Sequence, residues 1–158
     1  VYHGGTEKIE KPICKIGRKN LDFGQGFYLT NIKEQAVAWA NNISRNRRLP
    51  AVLNRYILDR AAIISNAKCK IFHTYDEEWL EFNVANRTGM YTANEYDYVE
   101  GGVANDRVVD TIHLYIAGLM DLKSTLKELS KHQPNNQMCL LNQSITDKYL
   151  VYDGTEEL

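Results

Sequence analysis

The stretch that decides the fold is LDFGQGFYLTNIKEQAVAWA, residues 21–40. Its first half places two glycines ahead of a short run rich in aromatic and branched side chains. That order predicts a loop followed by a strand over residues 26–30. The strand is short and is flanked by glycine.

The second half predicts an amphipathic helix that follows this strand at once. Asn31 and Glu34 have the spacing of a capping box, so we expect Asn31 to cap the helix. Five apolar residues then recur on one helical face: Ile32, Ala36, Trp39, Ala40 and Ile43. This periodicity predicts a helix to about Arg47, which Pro50 separates from the next element.

The remaining elements alternate along the chain without forming repeats. A first strand is expected in VYHGGT, residues 1–6, and further strands at 51–59, 61–65, 70–72, 96–99, 137–141 and 149–152. Helices are expected to begin at Asp76, Asp106 and Asp121. Strands dominate the ends and helices the middle, so the fold class is predicted to be α+β with a mixed or antiparallel sheet.

Composition sets the broad class. The chain has 158 residues, 44% of them hydrophobic and 25% charged, which predicts one globular domain over residues 1–158. Its 19 basic and 20 acidic residues give a net charge of -1. There is therefore no overall positive field to attract nucleic acid or anionic lipid.

Cysteine usage and hydropathy indicate the compartment. Cys14, Cys69 and Cys139 are far apart and lie outside zinc or CxxC spacings, so neither a metal site nor a disulfide framework is expected. No signal-peptide or membrane-span pattern is found. A reducing cytoplasm, with no membrane partner, is the predicted location.

Common catalytic motifs are missing from the sequence, including dinucleotide, P-loop and zinc-protease patterns. Two groups of residues stand out instead. His3 is followed by Gly4 at the end of the first predicted strand, and His3 there is either structural or ligand-binding. Tyr28 and Trp39 lie eleven residues apart across the strand–helix junction. From the residues alone a core aromatic pair is favoured for them, and the alternative is a sandwich around a flat ring.

Together these segments resemble the ADP-ribosyltransferase fold, in its diphtheria-toxin and poly(ADP-ribose) polymerase branch. The resemblance implies split β-sheets with flanking helices around an NAD cleft. It implies that His3 holds a ribose hydroxyl and that the Gly4 backbone holds the nicotinamide amide. Tyr28, in FGQGFY, and Trp39 would stack on nicotinamide.

The third element of the resemblance carries a substitution. The family has a late NEYxxY strand whose glutamate contacts the nicotinamide ribose, whereas this chain has Gln137 in the segment NNQM. Ala36 stands where many polymerase-type members have a serine that touches the amide. LDFGQGFYLT, GVANDRV and NNQ are also similar to an uncharacterised bacterial family of small ADP-ribosyltransferase-like proteins, some of them toxin-like.

The resemblance implies further site residues. Phe23 and Gly26 of the FGQG loop, and Arg18 ahead of it, are expected to contact NAD. Asp22 is a weaker candidate for lining the cleft. For Asn105 and Asp106 a simple helix cap is favoured over a role in the cleft.

We therefore expect an NAD-dependent mono-ADP-ribosyltransferase with His3, Tyr28 and Gln137 as its triad and no metal. Gln137 cannot act as a general base, which favours single transfer over polymer growth. The alternatives are an NAD glycohydrolase and a weakly catalytic NAD- or ADP-ribose-binding module. Expected partners are NAD, an unidentified protein or nucleic-acid acceptor and, if the protein is a toxin, an antitoxin.

Overall fold

The computed structural model describes residues 1–132 and 135–158, with every side chain in them except that of Asp106. Within these residues the strands are β1 Tyr2–Gly5, β2 Phe27–Leu29, β3 Val52–Leu58, β4 Cys69–Ile71, β5 Tyr98–Gly102, β6 Asn136–Leu140 and β7 Leu150–Glu157. The α-helices are α1 Lys33–Arg47, α2 Arg60–Asn66, α3 Glu77–Arg87, α4 Asp106–Ile116, α5 Leu122–Leu129 and α6 Gln143–Tyr149. The predicted α+β class is confirmed.

The described strands form two sheets. One has the order β1-β3-β7 and is antiparallel throughout, and the other has the order β2-β6-β5-β4 with a parallel β4–β5 pair. An isolated backbone bridge links them: Tyr2 N donates to Thr30 O at 2.8 Å, and Thr30 N donates to Tyr2 O at 3.0 Å. The expectation of mixed and antiparallel sheets is therefore confirmed.

The four-stranded sheet has an apolar core on each face. Because side chains alternate along β6, Cys139 belongs to one core and its neighbours Met138 and Leu140 to the other. The first core contains Phe23, Trp79, Leu80, Ile112 and Leu129, and the second contains Phe27, Tyr56, Ile63 and Tyr98. Phe23 of the FGQG loop belongs to the first core, and the His3 ring of β1 stacks on Phe27 of the second.

Helix α1 packs directly on the backbone of β1 at Gly4. A Cβ atom at Gly4 would lie 2.0 Å from the Ala36 carbonyl oxygen and 2.9 Å from the Ala40 nitrogen. Ala36 and Ala40 are both buried, so small residues face each other on both sides of the contact. The helix backbone at Ala36 can approach β1 this closely because Gly4 has no Cβ.

The start of α1 differs from the prediction that Asn31 caps it. The capping position is Ile32, which makes no side-chain cap bond. Thr30 Oγ1 instead accepts a hydrogen bond from Ile32 N at 3.1 Å. The Asn31 prediction was wrong because Thr30 is already fixed beside the helix by its pairing with Tyr2.

The segment 61–65, predicted as a strand, is helical in α2. Asp59 caps this helix by accepting a hydrogen bond from Ala62 N at 3.0 Å. Ile63 is buried whereas Ile64 is 40% exposed, so a local cap and one-sided burial outweighed the strand preference of branched residues. Helix α6 was not predicted, although Asn142 caps it through Ser144 N.

No helix in the described ranges is both long and apolar enough to cross a membrane.

Replacing Gly4 by alanine should destabilise the protein by about 2–3 kcal/mol, because the new methyl group would collide with the α1 backbone. The free energy of unfolding in urea measures this effect. Gly5→Ala is the matched control: its Cβ would lie 3.5 Å from His3 Nε2, an ordinary contact, so a loss under about 1 kcal/mol is expected. Equal losses for the two variants would contradict the close packing of α1 on β1.

Candidate functional site

His3 lies at the junction of the two sheets, which we call the seam and define as Tyr2, His3, Tyr28 and Thr30. Its Nδ1 is 2.8 Å from the Tyr28 carbonyl oxygen, and its ring stacks on Phe27 at 4.6 Å between centroids. Since a carbonyl can only accept, Nδ1 must carry the proton of the neutral ring. Nε2 of His3 is then an acceptor.

The protonation state of His3 follows from its surroundings. Burial lowers the pKa of His3 below its usual 6.5, and the hydrogen bond to the Tyr28 carbonyl partly offsets this effect. A neutral imidazole is therefore favoured at pH 7. Such a ring can accept a hydrogen bond from a hydroxyl group but does not supply a positive charge.

The Tyr28 hydroxyl is fully engaged by its own loop. It donates to the Gly24 carbonyl at 2.6 Å and accepts from Phe23 N at 3.2 Å. Burial, with the Cys139 thiol and the Asp22 carboxylate nearby, raises the pKa of Tyr28 well above its usual 10. Tyr28 can therefore serve a ligand through its ring but not as a proton donor or base in this conformation.

The two glycines of the FGQG loop have structural reasons to be there. Gly24 has φ of +78°, and a Cβ at Gly26 would lie 2.4 Å from Cys139 Sγ. Phe23 is fully buried among Phe72 and Phe82. Any contact of Phe23 with NAD, as predicted from the sequence, would thus have to use its backbone.

Gln137 shares a sheet face with Tyr28. Tyr28 pairs with Cys139 in the β2–β6 register, and Gln137 is two residues from Cys139, opposite Gly101 of β5. The diagonal geometry of antiparallel strands separates Tyr28 and Gln137 by about 7 Å. The His3 ring instead packs on Phe27, and side chains alternate across β2, so the His3 and Tyr28 rings do not lie against each other.

Trp39 is not part of the core. Its side chain is 52% exposed, so the core aromatic pair that the residues alone favoured was wrong. Trp39 lies one turn after Gln35 on the same flank of α1. Gln35 Nε2 is 3.5 Å from the Asn136 carbonyl oxygen, so the Gln35 side chain reaches the start of β6.

A buried ion pair holds the FGQG loop to α3. Arg87 donates from Nε and Nη2 to Asp22 Oδ1 at 2.6 and 2.5 Å, with side-chain exposures of 19% and 11% for Arg87 and Asp22. Burial raises the pKa of Asp22, and the Arg87 charge and the Ala104 N–H oppose that shift. Asn86 adds a bond to the Asp22 carbonyl at 3.2 Å. Sequence reasoning missed Arg87, because nothing local connects it with a loop 65 residues earlier.

The other candidates are more peripheral. Asn105 caps α4 by accepting from Val108 N at 3.1 Å, as favoured from the sequence, while the side chain of Asp106 is outside the described part. Arg18 is exposed in the loop ahead of FGQG. Open surface depressions of about 780 and 610 Å³ lie along α1 and beside Asp97, and neither is lined by His3, Tyr28 or Gln137.

The candidate site residues that the structure describes are polar or aromatic. They contain no group of three or more histidine, cysteine, aspartate or glutamate residues able to hold a metal ion. Cys14, Cys69 and Cys139 are free thiols. The seam contributes the neutral His3 acceptor, while the exposed indole of Trp39 on α1 and the Gln137 amide on β6 lie outside the seam.

Residues 1–152 match the model of a family described as "Protein of unknown function (DUF3990)", and the chain belongs to that family. Neither the curated proteins nor the solved structures contain a match to the chain.

The pKa of His3 gives a testable pH dependence. Because the unfolded chain binds a proton near pH 6.5 and the folded chain does not, the free energy of unfolding should fall as the pH decreases below about 6.5, down to the lower folded-state pKa. The contribution of one proton is at most about 1.4 kcal/mol per pH unit. In urea titrations from pH 7.5 to 5.5, His3→Asn should show a shallower fall. Parallel curves would contradict the lowered pKa.

Arg87→Met should cost about 3 kcal/mol, because it leaves the Asp22 carboxylate buried without its cation. The double variant Asp22→Asn/Arg87→Met should be more stable than Arg87→Met alone, since no buried charge remains. Urea unfolding of the two variants and of Asp22→Asn measures the coupling. Simple additivity of the single changes would show that the pair does not act as a unit.

Proposed function

We propose that this DUF3990 protein is an NAD-dependent mono-ADP-ribosyltransferase that transfers ADP-ribose to a macromolecular acceptor, either protein or nucleic acid. The split sheets, with His3 and Tyr28 at their junction, support the proposal. The order of the motifs along the chain, His3–Gly4, FGQGFY, Trp39 and Gln137, also agrees with it. A toxin role with a neutralising antitoxin, and a cytoplasmic location, belong to the same proposal.

The observation that carries the proposal is the state of His3. Its Nδ1–H is committed to the Tyr28 carbonyl at 2.8 Å, so Nε2 is available to accept from a ribose hydroxyl. The lowered pKa keeps this nitrogen unprotonated at pH 7. A histidine fixed in this tautomer suits the holding of a sugar hydroxyl better than proton transfer.

Transfer would break the bond between the nicotinamide nitrogen and C1′ of the ribose. The bonding pair leaves with nicotinamide, C1′ acquires cationic character, and an acceptor oxygen or nitrogen forms the new bond and releases its proton to solvent. The protein contributes by fixing the ribose through His3 and by stacking Trp39 and Tyr28 on the leaving group. This chemistry needs no metal.

Gln137 gives specific support to a second candidate. Its amide accepts a hydrogen bond from a ribose hydroxyl but carries no charge to stabilise the developing cation. An NAD-binding module with little turnover is the alternative that this residue favours. An NAD glycohydrolase would use water as the acceptor in the same cleft.

Nicotinamide release from NAD in a bacterial lysate tests the proposal. Wild-type protein should release nicotinamide above the level of His3→Ala. Gln137→Glu should raise turnover, by up to about a thousandfold, because a carboxylate about 4 Å from the cation contributes about 4 kcal/mol at an effective dielectric near 20. Trp39→Ala should weaken NAD binding, whereas Leu119→Ala, another exposed apolar residue, should not.

The outcomes separate the candidates. No release by wild type or Gln137→Glu above the His3→Ala level would contradict an ADP-ribosyltransferase. Thermal stabilisation by NAD without its consumption would select the binding module. Free ADP-ribose formed without a macromolecular acceptor would select the glycohydrolase. Growth arrest on bacterial expression, lost in His3→Ala, is expected of a toxin.

A further inference from the structure

The outer side of α1 carries a row of exposed side chains, which we call the α1 stripe and define as Trp39, Asn42, Arg45 and Asn46. Asn42 lies three residues from both Trp39 and Arg45 and four from Asn46, so these side chains are neighbours on the helix surface. Asn42 and Arg45 also line the open depression of about 780 Å³ along α1. The stripe is therefore accessible to a large ligand.

This end of α1 is positively charged. No aspartate or glutamate occurs between Glu34 and Asp59, although the chain has 20 acidic residues. Arg45 lies in the stripe, and Arg47 and Arg48 follow it at the end of the helix. None of these three arginines forms an ion pair with another described residue. Their charges can therefore pair with an anionic partner.

The backbone at Arg48 indicates that the helix dipole is not the whole reason for this charge. Arg48 has φ of 56°, in the left-handed region where a helix usually ends on glycine. A residue with a side chain is less stable than glycine in that conformation. The last turn already contains Arg45 and Arg47 to offset the dipole.

The residue types indicate the chemistry of the partner. A guanidinium group binds two oxygens of a phosphate at once. The amides of Asn42 and Asn46 both donate and accept, which suits the edges of nucleic-acid bases. An unpaired strand exposes its phosphates and its base edges together. It therefore matches the whole stripe, whereas an acidic protein surface matches only the arginines.

Trp39 connects the stripe with the proposed site, where it stacks on nicotinamide. Arg45 follows six residues later, which is about 9 Å along the helix axis at about 1.5 Å per residue. Stacked nucleotides rise by about 3.4 Å each, so a strand held at Arg45 reaches Trp39 within about three nucleotides.

We propose that the α1 stripe, together with Arg47 and Arg48, binds a single-stranded nucleic acid and that this strand is the acceptor of ADP-ribose. This inference rests on the proposed function and chooses between its two classes of acceptor. An exocyclic amine of an unpaired base forms the new bond to C1′ while nicotinamide leaves with the old bonding pair. The amine then releases its proton to solvent.

Fluorescence anisotropy tests the surface with an oligonucleotide of mixed sequence and about 12 nucleotides, prepared as DNA and as RNA. Arg45→Gln/Arg48→Gln should weaken binding about tenfold at about 50 mM salt, because two phosphate contacts are lost. The slope of log K against log salt should become shallower by about 1.4. Lys123→Gln/Lys127→Gln is the matched control: it removes the same charge from exposed positions of α5 and should leave the affinity unchanged.

Arg48→Gly separates binding from stability. Because glycine adopts φ of 56° without strain, the melting temperature of this variant should equal or exceed that of wild type. Its affinity for the oligonucleotide should fall about threefold, since one phosphate contact is lost. A purely structural Arg48 would give the opposite pattern, with a lower melting temperature and unchanged affinity.

Incubation with NAD labelled in the adenine ring shows whether the strand is the acceptor. Wild type should transfer the label to the oligonucleotide, His3→Ala should not, and Arg45→Gln/Arg48→Gln should transfer less when the oligonucleotide is limiting.

The contrary outcomes distinguish this inference from the proposed function. No binding of either oligonucleotide, or equal weakening in the α5 control, overturns the inference and leaves the proposed function to be judged by nicotinamide release. Competition by polyglutamate as strong as by the oligonucleotide assigns the surface to an acidic protein and overturns it too. Nicotinamide release with label only on proteins overturns the acceptor assignment alone. If no nicotinamide is released, the proposed function fails, and the acceptor assignment fails with it.

Discussion

The contact between Gly4 and the α1 backbone sets the geometry on which the rest of the site depends. With no Cβ on Gly4, the Ala36 carbonyl comes closer to β1 than any larger residue would allow. This places α1 against the first strand, and with it the flank that carries Gln35 and Trp39. The seam fixes the N-terminus of the same helix, because Thr30 both pairs with Tyr2 and accepts a hydrogen bond from Ile32 N, just ahead of the first turn. The strand and the start of the helix are therefore held together at two places.

Polar groups around the FGQG loop are used mainly to hold the loop itself. The Tyr28 hydroxyl is saturated by Gly24 and Phe23, and Asp22 is saturated by Arg87. The groups left over are accordingly few: His3 Nε2, which can accept a hydrogen bond, and the Gln137 amide, which can both donate and accept. Neutral groups of this kind suit hydroxyl groups better than a bare anion.

Elements of the site that a local sequence pattern marks could be predicted from the sequence. Features that depend on contacts between distant residues could not. Glycine spacing and periodicity located β2 and α1, and Asp76 and Asn105 behaved as the helix caps that their positions indicate. The α2 segment was assigned wrongly because its Ile-Ile pair reads as a strand, although only one of the two is buried. The exposure of Trp39 depends on which elements pack beside that side of α1. The ion pair between Arg87 and Asp22 depends on where α3 lies relative to the FGQG loop. Local periodicity predicts neither.

Because β2 pairs with β6, this part of the structure is completed late in synthesis. Tyr28 leaves the ribosome early, whereas Gln137 and the strand that covers Gly26 follow about 100 residues later, which takes about 5–20 s at ordinary elongation rates. Until β6 arrives, β2 has no neighbour on that edge, and the Asn136 carbonyl that orients Gln35 is not yet present. A nascent chain therefore carries its histidine, tyrosine and tryptophan before their sheet is complete. The pairing of Tyr28 with Cys139 forms only once β6 has been synthesised.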